Sequence, residues 1–145
     1  MIQNALEGWK SDIPYERIRN EYQKPKKESI SINTPDKKMA VFFAGTNIEI
    51  RDDDPDWEAM FIGNTILGGG ALANRLGERV RQKEGLSYGI RSMFQANSQD
   101  RSGSFMTQAI TNPGNRDRLV EVINEEYDKI IKEGVSPDEL ERAKE

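Results

Sequence analysis

Leu76-Gly-Glu-Arg-Val-Arg-Gln-Lys-Glu-Gly-Leu-Ser-Tyr-Gly-Ile-Arg-Ser-Met-Phe94 contains a change of period. On its N-terminal side Leu72, Leu76 and Val80 recur four apart. That spacing predicts a helix over about 71–82, with Arg75, Glu78, Arg79 and Arg81 on its other faces. After Gly85 the period becomes two: Leu86, Tyr88, Ile90, Phe94 and Ala96 share one side of a strand, and Ser87, Arg91 and Gln95 the other. Asn97–Ser102 is a polar turn and Gly103–Ile110 a second strand, so the pattern predicts a hairpin. Asn112-Pro-Gly-Asn115 then caps a long helix carrying Leu119, Val122, Ile123, Tyr127, Ile130 and Ile131, with Gly134 as its stop. Ser136-Pro-Asp-Glu139 is a capping box that opens one more helix, which reaches Glu145 before completing three turns. The expectation is a chain cut from a longer polypeptide.

Working toward the N-terminus, Gly68-Gly69-Gly70 ends a helix that carries Trp57, Met60, Phe61, Ile62, Ile66 and Leu67. Its apolar residues run around much of the circumference, which predicts deep burial with Trp57 and Phe61 in the core. Asp54-Pro55-Asp56 reads as its start, with an acidic cap and carboxylates at the positive end of the helix dipole. Met39–Ala44, continuing through Ile48 and Ile50, has strand character, and Ser29–Asn33 alternates through Ile30 and Ile32. Thr34-Pro-Asp-Lys37 between them is turn chemistry, so a first hairpin is expected there. Residues 1–27, with a short helix-like piece at Ala5, Leu6 and Trp9, read as a linker or the tail of a preceding domain. Residues 28–145 read as a single domain, truncated at its C-terminal helix. The order β-β-α-α-β-β-α-α predicts an α+β fold: a two-layer sandwich, one antiparallel sheet with helices on one face.

The 145 residues suffice for one domain with a real core, and composition removes several kinds of chemistry. Hydrophobic residues make up 35% and charged residues 32%, with 21 Lys+Arg against 25 Asp+Glu for a net charge of −4. A general nucleic-acid binder is usually more basic. No apolar run approaches the ~20 residues of a membrane span. The chain has no Cys, hence no disulfide, thiolate nucleophile or cysteine metal site. It has no His, hence no Ser-His-Asp triad and no imidazole ligand. Composition leaves a carboxylate-only magnesium or calcium site open. Asp52-Asp53-Asp54, however, lacks the alternating ligands and Gly turn of a calcium loop and reads as a charged helix start. Gly68-Gly-Gly-Ala-Leu-Ala73 fits G-x-G-x-x-A but follows a helix, whereas a dinucleotide turn follows a strand.

The stretch that carries functional information is Leu67-Gly-Gly-Gly-Ala-Leu-Ala-Asn-Arg-Leu-Gly-Glu-Arg-Val-Arg-Gln-Lys-Glu-Gly-Leu-Ser-Tyr88. It resembles the signature of the C-terminal, non-zinc-binding ("inactive") domain of insulinase/pitrilysin-family zinc metallopeptidases. That signature is a Gly-rich break, a Ser/Asn-Arg-Leu helix, then an Arg-x-x-x-Gly-Leu-x-Tyr-like segment. Asp100–Gly103, Asn112-Pro-Gly-Asn115 and Val135-Ser-Pro-Asp-Glu-Leu140 are similar to the family as well, so the resemblance covers about residues 25–145.

The resemblance implies a mitochondrial-processing-peptidase-like sandwich and a division of labour. Family enzymes carry H-x-x-E-H and a distant Glu on one domain, where zinc is held and water activated. A domain of the present kind closes over that site and contributes an Arg and a Tyr, which correspond to Arg81 and Tyr88 here. A guanidinium and a phenol are suitable donors to the oxyanion of a tetrahedral intermediate. No cofactor is expected in this chain itself; zinc is expected on a companion domain, in the same chain or on a partner subunit. The implied substrate is a peptide or small unfolded protein that fits inside a chamber or adds to a sheet edge as a strand.

Plainer readings stand beside these. By pattern alone Tyr88 is a core tyrosine with its hydroxyl at a rim, Arg81 is a solvated helix residue, and Arg79 is a rival for its role. Gly68, Gly69 and Gly70 give room for a substrate backbone, act as a hinge, or simply terminate a helix. The alternative to a peptidase component is a non-catalytic peptide-binding or assembly domain that keeps the family fold. A third reading, weaker than both, is an unrelated two-layer domain that binds an anion at Gly68–Ala73. The absence of Cys suits cytoplasm and periplasm alike.

Overall fold

The computed structural model describes residues 6–70 and 73–145. Three strands form one antiparallel sheet in the order β1-β3-β2, with β1 at Ala40–Ile48, β2 at Ser87–Gln95 and β3 at Gly103–Thr111. The β2–β3 hairpin is the one that the two-residue period predicts. β3 is central and pairs with β1 along the whole length of both, from Ala40 opposite Thr111 to Ile48 opposite Gly103. Among the helices, α1 (Trp57–Asn64) runs on in wider π turns over Thr65–Gly69, and α2 (Gly77–Lys83) is itself π-wound. The N–H of Gly70 donates to the Thr65 carbonyl at 3.0 Å and that of Glu84 to the Arg79 carbonyl at 3.2 Å, both five residues back. A short 3₁₀ turn (Pro113–Asn115) leads into α3 (Arg116–Glu133), and α4 (Pro137–Lys144) follows.

α2 and α3 pack on one face of the sheet and the π turns after α1 lie against β2, so the fold is the expected α+β two-layer arrangement. The core between the layers joins Leu76 and Val80, Leu119, Val122 and Ile123 of α3, and Ala109 of β3, with Phe42, Ile90 and Phe105 closing it from the sheet. Alternation puts Phe42 inward and leaves Val41 and Phe43 on the open face. The helix boundaries follow their signals. Gly134 stops α3 at φ +72°, a left-handed conformation that glycine tolerates. In α4 the Ser136 hydroxyl accepts the Glu139 N–H and the Glu139 carboxylate accepts the Ser136 N–H, which is the predicted capping box.

Four expectations fail, each for a physical reason. Residues 29–33 form no strand, and Ile30 and Ile32 are 73% and 81% exposed. The turn between Thr34 and Lys37 exists, but β1 takes its hydrogen-bonding partner from the longer β3 instead. Two isoleucines give too small a face to compete with that nine-residue ladder.

The apolar helix is not deeply buried. Ile66, Leu67 and Gly68 of the π turns are buried, whereas no residue of α1 itself is. Phe61 is 50% exposed and stacks on half-buried Trp57, with ring centres 5.4 Å apart, so neither is a core residue. An apolar pattern that runs all the way round a helix does not say which face is covered. Here the sheet covers only the turns near β2.

At the start of α1, Asp56 makes no side-chain cap. Asp54 instead accepts the Arg51 N–H at 2.7 Å and pairs with Arg101 at 2.8 Å. The fourth failure is the face on which Tyr88 lies, described below. The predicted start of the second helix at Ala71, and Leu72 on its stripe, lie outside the described residues, as does Ala5 of the N-terminal helix-like piece.

Candidate functional site

Arg81 and Tyr88 lie on the two sides of the change of period between α2 and β2. Arg81 is in the last turn of α2. Glu84 ends that helix, Gly85 turns the chain at φ +61°, and the Leu86 N–H donates to the Val80 carbonyl at 2.9 Å. Tyr88 is the second residue of β2. The tight return brings the Arg81 guanidinium over the Tyr88 ring, 4.9 Å from its centre. That is a cation–π contact, worth about 0.5–1 kcal/mol at an exposed site.

Strict alternation through Ile90 and Phe94 puts Tyr88 in the core, yet it is 86% exposed. The cause is a break in register. Ser87 pairs with Thr111 and Gly89 with the adjacent Ile110, so Tyr88 is an extra residue, a β-bulge. Leu86 and Ser87 both stay buried, and the strand returns to regular alternation from Gly89. Among the described residues neither the Arg81 guanidinium nor the Tyr88 hydroxyl has a hydrogen-bonding partner. Their donors are therefore available to a ligand.

Arg79, the rival, is engaged by carboxylates, although its buried Nε makes no hydrogen bond among the described residues. Two positions from Arg81, it lies on the opposite side of the helix and faces α3. Its guanidinium pairs with Glu84 at 2.6 Å, Glu125 at 2.8 Å and Glu126 at 3.7 Å. Arg118 of α3 holds Glu84 from the other side with two nitrogens, at 2.6 and 3.1 Å. Those hydrogen bonds, followed by the charges of Arg118 and Arg79, hold the Glu84 carboxyl below its ordinary range despite opposing desolvation. This network ties the end of α2 to α3 and fixes the turn that Arg81 and Tyr88 flank.

The three glycines are not equivalent, and they do not join the Arg81–Tyr88 pair. A Cβ on Gly68 would stand 2.8 Å from both the Leu76 Cδ1 and the Ser92 Oγ, and 2.9 Å from the Ser92 backbone nitrogen. Gly68 thus lets the helix end approach β2 four residues beyond Tyr88. Gly69 is exposed, and a Cβ there would meet Asn64; one on Gly70 would lie 2.9 Å from the Thr65 carbonyl oxygen. Of the segment read as an anion loop, Ala71 and Leu72 lie outside the described residues.

The residues do not fit a zinc ion. The chain has no His or Cys, and among the described residues no three acidic groups are arranged to hold a metal ion. Within the aspartate run, Asp53 pairs with Arg51 and Asp54 with Arg101. No helix among the described residues is long and apolar enough to cross a membrane.

Sequence reasoning missed Ser87, Glu84 and Arg118. For Ser87 a signal existed: Gly89 inside the strand pattern is a usual mark of a bulge. Glu84 and Arg118 are 34 residues apart and had none.

Comparison with known proteins gives concordant results. Over 93 residues, 64% of this chain and 19% of the relative, the sequence is 34% identical to SCO5738 of Streptomyces coelicolor, an uncharacterized zinc protease. It is 28% identical over 145 residues to YmxG of Helicobacter pylori, a non-peptidase homolog, which covers 99% of this chain and 32% of that one. The chain therefore spans a third or less of these relatives. The crystal structure of a peptidase M16 inactive domain from Pseudomonas fluorescens superposes with a TM-score of 0.68 at 31% identity, covering 74% of this chain and 26% of that chain. The family described as "Peptidase M16 inactive domain" matches residues 1–145, and the chain belongs to it.

Proposed function

We propose that this domain works as the non-metal half of a zinc endopeptidase. In this role it encloses a peptide and directs Arg81 and Tyr88 at the oxyanion that forms when the scissile carbonyl is attacked. The observation that carries this reading is the pair itself. A tyrosine expected in the core is exposed beneath a guanidinium, and neither is bound by the described remainder of the chain. Donors fixed in advance and aimed at developing charge need no rearrangement during reaction. Since this chain lacks zinc ligands, the metal and the general base belong to a companion domain. The substrate is a peptide or small unfolded protein, and along Gly68–Gly70 the place for its backbone is Gly69, the exposed member.

The similarity to a non-peptidase homolog along nearly the whole chain favours a second reading, in which the fold is kept for peptide binding or assembly. Zinc content and peptide hydrolysis, measured on the full-length parent with any companion subunit, separate the two. The first reading expects bound zinc, cleavage, and a kcat for Tyr88→Phe lowered by about tenfold or more. A parent that binds no zinc and cleaves nothing leaves the second.

A further inference from the structure

We infer that Ser87 is a positioning residue: its buried hydroxyl holds the β-bulge that turns Tyr88 out of the core. This rests on the reading of Tyr88 as the oxyanion donor. A bulge interrupts the ladder and leaves backbone groups that need other partners. Ser87 is 6% exposed, and its Oγ sits in that gap. It accepts the Gly89 N–H at 3.2 Å and lies within donating distance of the Ile110 carbonyl at 2.6 Å and the Gly89 carbonyl at 2.8 Å. Its cross-strand partner Thr111, also buried, donates from Oγ1 to the Leu86 carbonyl at 2.6 Å. Two hydroxyls thus brace the backbone on either side of the irregularity.

The alternative arrangement is close at hand. A one-residue shift restores the regular ladder and returns Tyr88 to the face of Ile90 and Phe94, where its ring is buried. The sequence pattern itself favours that register. Without the Ser87 hydroxyl the Gly89 N–H and Ile110 carbonyl lose this partner at a partly buried place, which favours the shift. Gly89 bears no side chain to resist either arrangement. Ser87 therefore touches no substrate and acts through Tyr88.

The test uses the full-length parent with its companion, with 3-fluorotyrosine at position 88 and a soluble paramagnet to report ring exposure by fluorine NMR. Ser87→Ala is the direct variant. Ser87→Thr and Ser87→Val form a matched pair that differs only in the hydroxyl, and they serve if the alanine variant does not fold. The expected result is that Ala and Val shield the ring and lower kcat by about tenfold or more, with KM changed less than about twofold. Thr is expected to keep the ring exposed and kcat within about threefold of wild type. Ser87 acting only through stability would lower the unfolding midpoint and leave ring exposure and kcat unchanged, which overturns the inference. Shielding of the ring by Ala or Val while Tyr88→Phe retains full activity supports the positioning role and removes the donor reading. Loss of activity in Tyr88→Phe with an exposed ring in Ala and Val does the opposite.

Discussion

The guanidinium of Arg81 lies over the ring of Tyr88, 4.9 Å from its centre, although the two are seven residues apart and belong to a helix and a strand. Among the described residues the contact leaves the N–H groups of one and the O–H of the other without a hydrogen-bonding partner while limiting where each can go. Stability and function should therefore separate at this pair. Arg81→Ala is expected to cost only about 0.5–1 kcal/mol in urea unfolding. Arg79→Ala should lower the unfolding midpoint more, because it leaves Glu84 and the buried Glu126 short of a partner. A larger loss from Arg81→Ala would show that Arg81 is a structural residue.

Glu139 gives a prediction in pH. Its carboxylate accepts two hydrogen bonds from Arg75, at 2.7 and 2.8 Å, and also caps α4 through the Ser136 N–H. The Arg75 hydrogen bonds, with smaller contributions from Ser136 and the Arg75 charge, hold its pKa down to about 2, from an ordinary 4.5, against desolvation. A lowered carboxylate pKa means that its stabilisation is complete above 4.5 and disappears as pH falls toward about 2. Carboxyl carbon NMR should show Glu139 titrating near 2, and in Glu139→Gln the stability should lose that part of its acid dependence.

Two glycine substitutions should have opposite signs. Gly68→Ala forces a methyl group against the Ser92 backbone and should destabilise by about 1–3 kcal/mol. Gly63→Ala lies within α1, where an added Cβ meets nothing within 4 Å, and should stabilise by about 0.5–1 kcal/mol. Denaturant unfolding of both variants checks the pair.

Burial provides a further comparison. Leu119 of α3 is fully buried, and Leu119→Ala should cost about 2–5 kcal/mol. Phe61→Ala removes a larger side chain from a half-exposed position and should cost clearly less. Equal losses would place α1 in the core, as its sequence pattern suggests.

Much of this fold can be read from local signals. The period of two in β2 and β3, the long stripe of α3, Gly134 and the Ser136–Glu139 box each specify their element within a few residues. What escaped is non-local. The choice of β3 as the partner of β1 depends on strands about 60 residues apart, and Ile30–Ile32 looked locally as good a partner. The circumference of α1 gave no face to favour. The family resemblance, not the pattern of the residues, pointed to Arg81 and Tyr88, and strict alternation put Tyr88 on the wrong side because a single bulge inverts every inference drawn through it. The separation of Arg79 from Arg81 required the carboxylates of α3, which no spacing along α2 reveals.

A double-mutant cycle on peptide hydrolysis by the full-length parent, with zinc content measured in every variant, tests the central claim most directly. With zinc retained, Arg81→Ala and Tyr88→Phe should each lower kcat by about tenfold or more, roughly 1.4 kcal/mol of transition-state stabilisation. The double variant should lose less than the product of the two, since the residues act on one oxyanion and touch each other. Zinc-loaded single variants with the wild-type kcat would contradict the account.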